Sequence, residues 1–129
     1  MSLRSPLSQA RGLGSAKHGV SHWWMQRLTA LALVPLSLWF VFGIARCQLT
    51  DYLTMVTWIH SPYVAVALVL YFISLFYHSA LGVQVVIEDY VTNKVLQIAS
   101  LVLIEFAHFA LGAASIFAVL KIAFGAPLQ

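Results

Sequence analysis

The stretch SPYVAVALVLYFISLFYHSALGVQVVIEDY, residues 61–90, decides the fold. Ser61 reads as a helix N-cap and Pro62 as the first helical residue, where a missing N–H costs nothing. The apolar run then continues to Ile87, and the 36 residues between Asp51 and Glu88 contain no Asp, Glu, Lys or Arg. About 20 such residues cross a bilayer, so the stretch is a membrane span. The polar patch Glu88-Asp89-Tyr90 through Asn93-Lys94 ends it.

Working outward, the chain has room for two more spans. The first runs from about 22 to 44, with 18 uncharged residues between Arg27 and Arg46, and Pro35 within it predicts a kink and a freed carbonyl. The third runs from about 95 to 122 and is interrupted by Glu105. Between the first two, RCQLTDYLTMVTWIH (46–60) predicts one or two turns of interfacial helix after Thr50, with Tyr52 and Trp58 as headgroup-level aromatics. The second span is expected over 62–87.

Residues 1–21 are basic, rich in Ser and Gly and free of acid, which suits a tail on the anionic face of a membrane. A transit peptide has a similar composition, but no small-residue cleavage site is evident and the basic spacing leads straight into the first span. Residues 123–129 form a C-terminal tail. Four Lys and Arg up to Arg27, with Lys94, fall on one side, against Arg46 and Lys121 on the other. The positive-inside rule then puts the N-terminus and the 88–94 loop inside, and the 46–60 loop and the C-terminus outside. The expected fold class is an all-α membrane protein with three transmembrane helices, 22–122 forming one domain.

Composition narrows the function. Of 129 residues, 61% are apolar and 9% charged, far below the roughly one quarter of a soluble domain. No polar segment is long enough for an extramembrane catalytic domain. The single Cys47 offers no C-x-x-C spacing, which excludes an iron–sulfur cluster ligated by this chain alone. The net charge of +3 follows from the positive-inside pattern, so it does not argue for nucleic acid.

Ionisable groups at membrane depth carry the chemistry, because each costs several kcal/mol unless paired, ligated or hydrated. His78 lies deep in the second span; Glu105 and His108 lie at i and i+3 in the third. Tyr71, Gly82 and Asp89 fall within about 40° of His78 on the helix, making one small or polar stripe. A neutral imidazole in an apolar, Gly-flanked slot suits axial ligation of haem iron. An interhelical hydrogen bond is the commoner use of a lone membrane histidine, and neither the stripe nor the periodicity identifies haem. A second ligand from His108 would require the second and third helices to face each other at matching depth.

Asp89 and Tyr90 lie about 16 and 18 Å along the axis from His78, at headgroup depth. A tyrosine hydroxyl can hydrogen-bond a quinone carbonyl, with an acid beside it to assist proton supply; more ordinarily, Tyr at an interface is a belt residue and Asp a helix terminator. Arg27 at the inner mouth of the first helix could hold a carboxylate such as a haem propionate, or serve as a positive-inside anchor beside Trp23 and Trp24. Glu105 and His108 could form a proton relay, bond each other or pack toward a partner. A di-iron carboxylate site is excluded, since it needs four Glu and the chain has Glu88 and Glu105 only.

Three features combine: Gly19-Val20 with Arg27, Thr29 and Ala30; His78-x-x-x-Gly82; and Asp89-Tyr90 eleven and twelve residues after that histidine. With GLGSAKHG (12–19), HWWMQR (22–27) and HSALGVQVVIEDYV (78–91), the sequence resembles the D-type hydrophobic membrane-anchor subunits of succinate dehydrogenase, respiratory complex II, in their alphaproteobacterial and mitochondrial-type branch. The resemblance covers about residues 12–95. It departs from the usual pattern after Val20, where Ser21 is followed by His22, so no role is carried to His22.

The resemblance implies that His78 is an axial ligand of haem b, the other coming from the larger, C-type anchor subunit, and that Arg27 lies near a haem propionate. It also implies that Tyr90 hydrogen-bonds ubiquinone with Asp89 as its acidic neighbour. The implied partners are that larger anchor, an iron–sulfur subunit and a flavoprotein subunit in a bacterial or mitochondrial inner membrane, with no flavin, iron–sulfur cluster or succinate site in this chain. From other classes, the sequence leaves a small proton-transport or channel subunit using Glu105, His108 and His78, and an anchor without haem.

Overall fold

The computed structural model describes residues 17–46 and 52–125; the parts of the expected tails over 1–16 and 126–129, and Cys47, lie outside the described residues. Those residues form four helices: α1 (Lys17–Arg46), α2 (Tyr52–His60), α3 (Pro62–Tyr90) and α4 (Lys94–Phe124). Three are long and apolar enough to cross a membrane, over Val20–Arg46, Pro62–Tyr90 and Lys94–Phe124. α4 runs unbroken through Glu105.

α3 is the central helix, packed against α1 on one side and α4 on another, while the short α2 rests on the α3 and α4 ends. The interior is thin. Ala65, Leu68 and Val119 form its cluster, supported by Trp39, Phe40, Ile59 and Phe72, all at the α2 end of the bundle. Elsewhere large apolar side chains point outward, among them Leu31, Leu103 and Phe109 at 70% exposure or more. Helices apolar on every face cannot be sorted by water; these faces meet lipid or other proteins.

Short polar and aromatic contacts join the elements. The Trp58 indole lies directly over Gly43 of α1, where a Cβ would collide with it, and also packs on Trp39 with ring centroids 5.6 Å apart. The interface aromatic thereby ties α2 to α1. His60 Nδ1 reaches the Ile122 carbonyl at 3.2 Å, satisfying a terminal acceptor of α4. Ser61 occupies the N-cap position of α3 without a side-chain capping bond. The sequence reading missed the stronger cap, Asn93, whose Oδ1 accepts from Val95 N and Leu96 N at 3.0 and 3.2 Å. Across the same turn, Gln97 Nε2 donates to the Glu88 carbonyl at 3.2 Å.

Candidate functional site

His78 faces α1. Its Nδ1 stands 3.2 Å from the Gln26 carbonyl and 3.0 Å from Thr29 Oγ1. A carbonyl can only accept, so Nδ1 carries the hydrogen and donates it. The Thr29 hydroxyl accepts a share while directing its own proton back to the Met25 carbonyl at 2.8 Å. This arrangement fixes the tautomer and leaves the Nε2 lone pair available, with no hydrogen-bond partner for Nε2 among the described residues. Holding one ring N–H on a backbone carbonyl is how proteins orient metal-ligating histidines.

Thr29 and Gln26 stand in the sequence only as motif letters, Gln26 within HWWMQR. The signal that could have found them is their spacing: His22, Gln26 and Thr29 recur at four and three residues and so share one face of α1. His22 Nε2 on that face is the one buried side-chain nitrogen or oxygen without a hydrogen-bond partner among the described residues. Gly82, one turn beyond His78, has open surroundings: an added Cβ would meet only Gln26 Nε2, at 3.9 Å. The fold of this chain alone does not require glycine there. A free imidazole nitrogen beside unfilled space fits a large planar group bound from outside the chain. Tyr71, on the same stripe, is instead used inside the bundle, stacked on Phe40 at 4.9 Å.

His108 is built differently. Its Nδ1 donates to the Ile104 carbonyl at 2.8 Å, and its Nε2 accepts from Ser79 Oγ at 3.1 Å. Both ring nitrogens are used. Since His78 and Ser79 are successive residues, about 100° apart on α3, the two histidines serve different interfaces. Glu105 is exposed and makes no hydrogen bond with His108.

Arg27 lies about 15 Å along α1, which begins ten residues earlier at Lys17. It is two residues from Thr29 and therefore close to the level of His78, yet turned about 160° away around α1. Its guanidinium sits over the Trp23 ring, 5.4 Å from the centroid.

Glu88, Asp89 and Tyr90 form the last turn of α3, which carries no basic residue. Carboxylates at a helix C-terminus oppose its dipole by a few tenths to about 1 kcal/mol each. Gln84 Nε2 donates to Glu88 Oε1 at 2.8 Å. Asp89 is exposed and Tyr90 is 81% exposed, so both side chains are accessible from outside the bundle.

A family model described as succinate dehydrogenase/fumarate reductase transmembrane subunit matches residues 1–120. A succinate dehydrogenase hydrophobic membrane anchor subunit of Rickettsia bellii is 38% identical over 92 residues, covering 70% of this chain and 74% of the relative. The subunit so named from Paracoccus denitrificans is 28% identical over 122 residues, 95% of this chain and 94% of its own length. A succinate dehydrogenase membrane anchor subunit of Reclinomonas americana is 33% identical over 96 residues, 69% of this chain and 77% of the relative. No solved structure matches the chain. With three apolar spans and these matches, the chain is a multi-pass membrane protein that belongs to the succinate dehydrogenase/fumarate reductase transmembrane subunit family, on the side of its hydrophobic membrane anchors.

Proposed function

We propose that this chain anchors a succinate:ubiquinone oxidoreductase in a bacterial or mitochondrial inner membrane, N-terminus inside. In this reading it supplies one axial ligand to haem b and part of the ubiquinone site. Its partners are a larger membrane anchor that brings the second ligand, an iron–sulfur subunit and a flavoprotein subunit that handles succinate. The observation that carries the reading is the His78 imidazole, held through Nδ1 by Gln26 and Thr29 with Nε2 left as a free donor atom.

Bound there, haem b would serve as a one-electron carrier whose potential depends on its ligands and burial. The chain's own residues bind and orient. Thr29 and Gln26 hold the His78 ring, and Gly82 leaves the adjacent surface low. Arg27 is the proposed partner of a haem propionate, which requires its long side chain to leave the Trp23 face. At the end of α3 the Tyr90 phenol donates a hydrogen bond to a ubiquinone carbonyl, and Asp89 beside it assists proton supply from water.

The test is an optical spectrum of the complex purified with its partners, wild type against His78→Ala. A b-type haem signal that disappears in the variant, with all subunits still present, is the expected result. Haem retained at wild-type occupancy would overturn His78 as ligand.

A further inference from the structure

We propose that the groove between α3 and α4 seats a transmembrane helix of a second membrane subunit, held by a basic side chain that pairs with Glu105. The groove has a volume of about 700 Å3, and Phe76, Tyr77, Gln84, Glu105, Phe109 and Gly112 contribute to its walls. It extends from Phe72 to Gln84 along α3 and from Leu101 to Ile116 along α4, about 18 and 22 Å at the helical rise. That elongated shape follows a helix better than a compact ligand. Ala80, Gly112 and Ala113 keep parts of the lining low, as close approach of a second backbone requires.

Glu105 chooses between lipid and protein as the occupant. It is exposed on the groove side and has neither an ion pair nor a hydrogen bond among the described residues. Lys94 and Lys121 at the ends of α4 are eleven and sixteen residues away, about 16 and 24 Å along the axis. Following the contacts Thr29–His78 and Ser79–His108 across the helices, Arg27 is the one described basic side chain near the level of Glu105. It sits on α1, however, turned to Trp23. Hydrocarbon cannot supply a counter-charge, and a bare carboxylate at that depth costs several kcal/mol. A guanidinium or ammonium from another chain removes that cost, and a guanidinium can do so with two parallel hydrogen bonds.

This inference rests on the anchor reading above. Leu81, which lines the groove, lies three residues and about 60° around α3 from His78. The other lining residues of α3 lie about 100–160° around the helix from His78, so a helix in the groove packs on a different side of α3 from the one His78 presents.

The experiment uses the assembled complex in its own membrane, with a photoreactive phenylalanine at Phe109 and, as a control, at Leu103. Both positions are at least 70% exposed, but Leu103 lies about 120° around α4 from Phe109 and about 160° from Glu105, outside the groove lining. The expected result is a cross-link from 109 to an identified second membrane subunit and none from 103. That cross-link should fall at least tenfold in Glu105→Lys and less than threefold in Glu105→Gln. Cross-links from 109 only to lipid or to a second copy of this chain overturn the proposal, as does a Glu105→Lys yield equal to that of Glu105→Gln. If the lysine variant fails to assemble, the 109 against 103 comparison alone decides. A purified complex with no second membrane subunit overturns the anchor reading as well; a complex that contains one but gives no 109 cross-link to it overturns this inference only.

Discussion

His78 and His108 are both partly buried imidazoles in membrane-spanning helices, each with one N–H given to a backbone carbonyl. They differ in the second nitrogen. On the α1 side of α3, Nε2 of His78 is left without a hydrogen-bond partner among the described residues; on the α4 side, Nε2 of His108 is closed by the Ser79 hydroxyl. A histidine satisfied at both ends is a fastener between helices. One held by a single end keeps its other nitrogen available, as the proposed haem ligation requires. Two residues of the same type at similar depth thus acquire opposite uses from one neighbouring hydroxyl.

The largest expected effect breaks the comparison directly. In the assembled complex, His78→Ala should abolish the b-type haem absorbance, while His108→Ala should leave it intact; loss of haem in the second variant alone would exchange the two roles. Thr29→Val comes next, because it removes a polar contact to Nδ1 while keeping shape. Disturbing an outer-shell partner of this kind costs on the order of 10- to 100-fold in metal affinity or activity. Haem retention during dilution should therefore fall, and unchanged retention would reduce Thr29 to a helix-packing residue.

Tyr90→Phe sharpens the contrast at the other end of the same helix. Removing one hydrogen bond worth about 1 kcal/mol should lower quinone reductase turnover or raise the quinone KM by roughly 5- to 10-fold, with the haem spectrum unchanged. Equal kinetics would remove Tyr90 as the carbonyl donor. The smallest effect is expected for Ser79→Ala, since interhelical hydrogen bonds in membranes average about 0.6 kcal/mol. Thermal unfolding of the complex should shift by only a few degrees, and a loss of haem there would contradict a purely fastening role for His108.

Much of this was legible along the chain. The charge-free runs around Pro62–Ile87 and Leu28–Ala45 mark spans whatever they pack against, because a bilayer admits about 20 apolar residues in a helix and little else. The resemblance carried by Arg27, His78, Gly82, Asp89 and Tyr90 led to the family that the comparisons show. What was misread or missed depends on neighbours. The expected tail runs to residue 21, yet α1 already begins at Lys17. Asn93 was passed over in a polar patch where several residues could cap a helix, and only the path of the turn puts its Oδ1 on two backbone N–H groups.

Solvent transfer acts on each segment alone, so the order of residues is enough to put the protein in a membrane, have it cross three times and keep a few ionisable groups at depth. Which face of each helix meets which neighbour follows instead from the packing. Along α3 nearly every residue is apolar, so periodicity carries almost no contrast between a lipid-facing and a helix-facing side. The register of α1 against α3 then places a threonine and a carbonyl beside Nδ1 of His78, and that of α4 places His108 beside Ser79. Hydrogen bonds reach only about 3 Å, so the assignment of each nitrogen had to wait for the packing.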